Sequence, residues 1–247
     1  VIPLPGSALW QTHDVNADLA VRAVRPMPEL PGWLDQAVDV IWASEQSRLD
    51  GALFNGRVFS ADVISPRLIC GHWTEFRRIV AQMRRPDLHP ALGIRPLAVG
   101  GVITGPDGVI FGRRPACAVY QAGEWQLPPA GSVDLNAARD DGRIDVAAMV
   151  LQELAEELGL DRSAVSLPVP VAIVEHPGTH VLDLGMAMRT HLSAAAIAAA
   201  HAQRGNGEYD PLVVVPLAEL AAFAAGADVN GQAPIFLRRL GLISTNL

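Results

Sequence analysis

The sequence predicts an α/β fold preceded by a smaller α+β region, and three features carry that expectation. Residues 145–160 read as one capped amphipathic helix. Ahead of it, two apolar stretches, Leu97–Thr104 and Val109–Arg114, flank the turn Gly105-Pro106-Asp107-Gly108, which is a hairpin pattern. Further back, residues 84–90 contain two prolines and no apolar period. This stretch places an internal boundary there and divides the chain into residues 1–88 and 89–247.

Taken in order, the first thirty residues are rich in proline and predict irregular chain apart from a strand near Leu19–Val24. Pro31 then opens a helix to about Leu49, with Leu34, Val38, Ile41 and Trp42 at helical spacing. Trp33 and Trp42 are expected to be packing residues. Arg57–Ile64 and Arg67–Gly71 read as strands split by Ser65-Pro66, and a short helix capped by Thr74 should follow. Beyond the hairpin, residues 125–129 lead into Gly131 and the 145–160 helix. Val169–Glu175 and His180–Met188 read as an antiparallel pair around Pro177-Gly178. Ser193–Ala202 is an Ala-rich helix, residues 204–210 a loop, and Leu212–Val215 a strand; helices at Leu217–Ala225 and Ile235–Leu242 close the fold.

Half of the 247 residues are hydrophobic, enough for a sizeable core. A net charge of −7, with no basic run, argues against nucleic acid as a partner. No signal peptide and no apolar run of membrane-spanning length is visible, so the expectation is a cytoplasmic protein that does not enter a membrane. Cys70 and Cys117 have no paired spacing that would make a disulfide framework or a zinc site, and read as buried thiols. His72 and His89 have no partner at metal-ligand spacing and read as surface or hydrogen-bonded histidines.

The 145–160 helix carries the chemistry. Asp145 stands at its N-cap and Gly159 at its left-handed C-cap. Ala147, Val150, Leu151, Leu154 and Leu158 share one arc, and Glu153, Glu156 and Glu157 occupy the neighbouring one. Like charges at i, i+3 and i+4 cost about a few tenths of a kcal/mol per pair, and no Lys or Arg follows in the helix to relieve them. A hard divalent cation would, since Mg²⁺ bridges one or two carboxylates to phosphates. The competing reading is a solvated acidic face.

Residues 152–160, Gln-Glu-Leu-Ala-Glu-Glu-Leu-Gly-Leu, resemble the second half of the Nudix box with Gln152 in place of its Arg, and residues 129–133, Pro-Ala-Gly-Ser-Val, resemble its opening. About seven extra residues intervene, and Ile144, eight before Gln152, stands where the family normally has a Glu. The Arg and Glu that brace each other in the family are thus absent together. The degenerate box, the insertion, Gln152-Glu153, Leu53-Phe54-Asn55-Gly56 and Arg113-Arg114 resemble the UDP-glucose and UDP-galactose diphosphatase branch most closely.

That resemblance implies a Nudix α/β/α sandwich with a mixed sheet, preceded by an N-terminal region that completes the substrate pocket. It implies a metal-dependent diphosphatase that cleaves a nucleotide sugar to UMP and sugar 1-phosphate, with Mg²⁺, or Mn²⁺, as cofactor. Glu153, Glu156 and Glu157, with the Gly131 backbone, would hold the metal. Glu153, Glu157 and Glu208 would be catalytic, with Glu208 or Glu153 as base, and Arg113, Arg114 and Asn55 would bind substrate. Adjacent arginines on a strand face opposite ways, so at most one enters the site. The family also implies a homodimer. Two alternatives stay open: a Nudix diphosphatase for ADP-ribose, a dinucleotide or coenzyme A, and a catalytically silent Nudix-like binding or scaffold module.

Overall fold

The computed structural model describes residues 10–118 and 120–244, so the expectation for residues 1–9 lies outside the described residues. The first elements are β1 (Gln11–Asp14), β2 (Ala20–Arg25), α1 (Gly32–Arg48), β3 (Arg57–Ile64), β4 (Leu68–Glu75), α2 (Phe76–Arg84) and α3 (His89–Leu92). Then come β5 (Leu97–Gly105), β6 (Gly108–Arg113), β7 (Trp125–Gln126), β8 (Ala130–Ser132), β9 (Arg143–Ile144) and α4 (Val146–Leu158). The chain continues through β10 (Val169–Glu175), β11 (Leu182–Arg189), α5 (Ala194–Arg204), β12 (Leu212–Val215), α6 (Leu220–Ala224) and α7 (Gln232–Arg239).

These elements form the α/β fold that the sequence predicts, built on two mixed sheets. The larger has the order β1-β10-β11-β5-β6-β12, with β7 paired to β6 and β8 to β5; β11 and β5 run parallel. The smaller has the order β3-β4-β2-β9, with β2 and β4 parallel.

Period-two alternation sends side chains of the large sheet to two faces. Val99 and Ile103 of β5, Ile110 of β6 and Ile173 of β10 pack with Met149, Val150, Leu154 and Leu158 of α4 and Ile197 of α5. Val102, Val109, Phe111, Ala172 and Val174 pack instead with Leu220 of α6 and Ala233, Phe236 and Leu237 of α7. The sheet is therefore a layer between helices, and each face buries its own apolar set. Phe59, Ala61, Ile69, Val21 and Ile144 of the smaller sheet join the first of these clusters.

Strands cross the boundary expected near residue 88. β1 lies at the edge of the larger sheet, where Gln11 pairs with Glu175, and β9 lies at the edge of the smaller, where Ile144 pairs with Val21. β3 also docks by its backbone: Phe59 N–H donates to the Val133 carbonyl at 2.8 Å and Ala61 N–H to the Arg95 carbonyl at 2.9 Å.

Several local expectations need correction. β4 runs on through Thr74, which is buried in the strand and caps nothing; the first turn of α2 is completed from outside, by the Asn55 side chain. Trp33, at the exposed start of α1, is 61% accessible, whereas Trp42 packs edge-on to Phe76 with ring centroids 6.3 Å apart. Cys70 is half-buried and Cys117 is exposed, in the loop after β6, so neither is a fully buried thiol. His72 is hydrogen-bonded as expected, buried with its Nδ1 3.1 Å from Asp62, and the His89 ring stacks on His180 at 3.5 Å.

Ile144 is 5% exposed and belongs to both the inserted segment and the shared core. Replacing it with Ala leaves a cavity where the two sheets meet, so Ile144→Ala is expected to lower unfolding free energy by about 2–5 kcal/mol in urea denaturation.

Candidate active site

α4 sets the geometry of the site. Asp145 accepts from Ala148 N–H at 2.9 Å at one end, and Gly159 closes the other with φ of 64°. The buried stripe is rotated from the one expected: Val146, Met149, Val150, Leu154 and Leu158 are buried, Ala147 and Leu151 only half so, and Glu157 is buried with them. Glu153 and Glu157, at i and i+4, therefore lie one above the other on the face toward β8, while Glu156 points outward.

β8 meets them at close range. A Cβ on Gly131 would stand 2.0 Å from Glu153 Oε1, so any larger residue here would push the Glu153 carboxylate from its place. Ala130 N–H donates to Glu157 Oε2 at 2.8 Å, and Glu157 Oε1 is buried with no hydrogen-bond partner among the described residues. Gln152 Nε2 donates to the exposed Glu156 Oε1 at 2.8 Å, so Gln152 and Glu156 satisfy each other on the solvent side.

The loop after α5 brings the third carboxylate. Arg204 Nε donates to the Gly159 carbonyl at 2.8 Å, and Asn206 N–H donates to the Glu156 carbonyl at 2.9 Å. These bonds satisfy carbonyls left open at the C-terminus of α4, where a cation is also favoured. The anchored loop presents Glu208, whose carboxylate pairs with Arg114 at the end of β6; the Arg114 guanidinium also lies 5.9 Å over the Tyr209 ring.

Electrostatics follow from that crowding. Burial, with Glu208 and Glu153 beside it, pushes Glu157 up to about 10, although the Ala130 N–H opposes the shift. Burial, with Glu156, Glu208 and Asp134 nearby, pushes Glu153 up to about 7. Among the described residues no three His, Cys, Asp or Glu side chains form a ready metal-coordinating group. Two carboxylates, one with an orphaned oxygen, beside a glycine backbone still match Mg²⁺, which keeps several waters and takes few protein carboxylates. The donors present fit such an ion.

Of the expected residues, the structure brings Glu153, Glu157, Glu208, Arg114 and Gly131 together. Arg113 points away: it is exposed, its Nε donates to the Gly123 carbonyl at 3.1 Å, and it faces Asp228 at 3.6 Å. Asn55 has a structural task, since its Oδ1 accepts from Arg77 N–H at 2.9 Å. It borders a groove shared with Glu153, Asp134 and Asn136. A separate cavity of ≈ 240 Å³ opens beside Gly131, Arg114 and Glu208. Sequence reasoning missed its other polar lining, Tyr120, Gln121, Asp183 and Gln232. One signal was available, for Asp183 is the only charge between Val181 and Met188 in an apolar strand.

No protein-family model and no curated protein matches the chain. Among solved structures, it is similar to a MutT Nudix hydrolase from Burkholderia pseudomallei, with 19% identity, 59% of this chain and 97% of that one covered, and a TM-score of 0.42. It is also similar to a Nudix hydrolase, RenU, from M. smegmatis, with 18% identity, 60% and 84% covered, and a TM-score of 0.41. An Ap4A hydrolase binary complex from C. elegans has 15% identity, 58% and 95% covered, and a TM-score of 0.41. The functional reading rests on the chain's own residues.

Carboxyl groups whose folded pKa lies above the unfolded value of 4.5 contribute stability that is fully present below that pH and is lost as pH rises through the folded pKa. In chelator, the melting temperature is therefore expected to fall from pH 5 toward pH 9. Glu157→Gln, which cannot ionise, should flatten that fall and melt higher than the parent at pH 8.

Proposed function

We propose that the chain is a Nudix-type hydrolase that cleaves the diphosphate of a nucleotide sugar, of the UDP-glucose or UDP-galactose type, to UMP and sugar 1-phosphate. The observation that carries this reading is the placement of Glu153 and Glu157 against β8, at Gly131 and Ala130, with a Glu157 oxygen unpartnered among the described residues and with Arg114 and Glu208 lining a cavity that Ala130 and Gly131 also border. The box-like residues 152–160 and the opening at 129–133 support the same class.

Glu153, Glu157 and the Gly131 backbone would hold Mg²⁺ or Mn²⁺, which when bound supplies a Lewis acid for phosphoryl oxygens. Arg114, released from Glu208, turns its guanidinium fork to a phosphate oxygen. Water attacks one phosphorus, the bridging P–O bond breaks, and Glu208, which lines the cavity beside Arg114, accepts the proton from the water. Glu156, exposed and bonded to Gln152, contributes charge to Glu153 rather than a contact to substrate.

ADP-ribose, a dinucleotide or coenzyme A would use the same carboxylates with a different ring beside them. A second reading, a catalytically silent binding module, is favoured by the Arg114–Glu208 pair, which leaves the guanidinium neutralised before any ligand arrives.

Incubation with Mg²⁺ across UDP-glucose, UDP-galactose, ADP-ribose and coenzyme A, read by release of the two monophosphates, tests these readings. The expected result is preferred turnover of a UDP-sugar and a fall in kcat of at least about 100-fold in Glu157→Gln. No turnover of any of them at any metal concentration, with ligand binding intact in Glu157→Gln, would leave the silent module instead. Gly131→Ala is expected to displace the Glu153 carboxylate and raise the Mg²⁺ concentration needed for half-maximal activity by at least about tenfold.

A further inference from the structure

The cavity beside the carboxylates has polar groups that the reaction above does not use. Asp183, on β11, is 8% exposed, and its Oδ2 is buried without a hydrogen-bond partner among the described residues. Gln232, at the start of α7, is 4% exposed, and its Oε1 is likewise unpartnered. The backbone N–H of Gln232 donates to Asn230 Oδ1 at 3.0 Å, which fixes where the residue sits. Gln121 supplies the opposite polarity: its Oε1 accepts from Gln126 Nε2, and its own Nε2 is buried with no acceptor among the described residues. All three side chains line the one cavity, whose remaining wall includes Phe76, Ile79 and Met83 of α2.

Buried polar groups in folded proteins are hydrogen-bonded almost without exception, and a set of unsatisfied ones on three residues that border the same cavity needs a cause. Nothing in the packing of β11 or α7 requires a carboxylate or an amide there, since Leu182, Leu184 and Phe236 around them are apolar core. The volume of ≈ 240 Å³ is below the roughly 300–1,000 Å³ of pockets for whole ligands, so the space suits one ring of a larger molecule.

We infer that Asp183, Gln232 and Gln121 form a recognition subsite for one ring of the substrate, in which Asp183 and Gln232 accept hydrogen bonds from N–H or O–H donors of that ring and Gln121 donates to an acceptor on it. The assignment rests on the diphosphatase reading for the word substrate, though the subsite's binding is separable from cleavage. A base edge and the hydroxyls of a sugar both present such donors, and the apolar wall from α2 covers the face of either ring. Burial pushes Asp183 up to about 7, so the group gains most from a donor once it ionises.

The test is equilibrium binding, without metal, of the two halves that cleavage would release. UMP, CMP, AMP and GMP form one arm, and glucose 1-phosphate and galactose 1-phosphate the other, each titrated calorimetrically against the parent chain and Asp183→Asn. This substitution keeps shape and replaces an acceptor oxygen with an amide donor. At least a tenfold rise in Kd confined to the nucleotides supports a base in the subsite, and the same rise confined to the sugar phosphates supports a sugar. Gln232→Met, expected to weaken the same arm, carries the test if Asp183→Asn does not fold. Unchanged Kd values for every ligand in folded Asp183→Asn and Gln232→Met, or no binding of any half by the parent chain, overturns the inference. Asp183-dependent binding without turnover of any diphosphate would overturn the cleavage reading alone.

Discussion

Glu153 and Glu157 share one face of α4, one turn apart, and the fold half-buries the first against Gly131 and fully buries the second against Ala130. Removing carboxylates from water without compensation is costly, and the cost appears here as protons held well above the ordinary carboxylate range. The surrounding structure keeps the arrangement rather than relieving it. The Glu153 carboxylate occupies the space that a side chain at residue 131 would take. The loop after α5 is tied to the end of α4 by Arg204 and Asn206, and it adds Glu208 to the same cluster. Arg114, the cation nearest at hand, is engaged by Glu208.

The segment before α4 explains how the helix manages without the bracing pair of the motif it resembles. Residues 134–144 form a short turn of helix and then β9, which adds to the edge of the smaller sheet beside β2. Ile144, where a Glu would be expected, is buried in the core that both sheets share. At the other position, Gln152 is exposed and bonded to Glu156. The entry of α4 is thus held by apolar packing, strand pairing and an ion pair from Arg139 to its N-cap Asp145 at 2.8 Å.

Elements with a strong local signal were legible in the sequence. The caps of α4, and the ends of β10 and β12, fall where side-chain chemistry and alternation put them. The helical stripe was misjudged because Glu157, polar by type, is buried by its contact with Ala130 rather than by hydrophobicity. β1 and β9 were missed because they are short and acquire their meaning only from partners far along the chain, Glu175 and Val21 among them. Asn55 looked like a ligand-binding residue, yet the helix it caps begins more than a turn later, and no local pattern links the two. The polar cavity left one trace in the sequence, the lone charge of Asp183 in an apolar strand, because Tyr120, Asp183 and Gln232 come from a loop, a strand and a helix that converge only in the folded chain.

The exchange of strands between the two sheets bears on how the chain reaches its native state. β2, β3 and β4 leave the ribosome early, but the outer edge of β2 stays open until Arg143 and Ile144 are made, and β1 has no sheet to join until β10 exists. Closing loops of that length is entropically slow, and an open strand edge is prone to pair with the wrong neighbour meanwhile. A fragment cut near residue 88 would carry the open edge of β2 and an unpartnered β1 into solution, where exposed strand edges favour clumping.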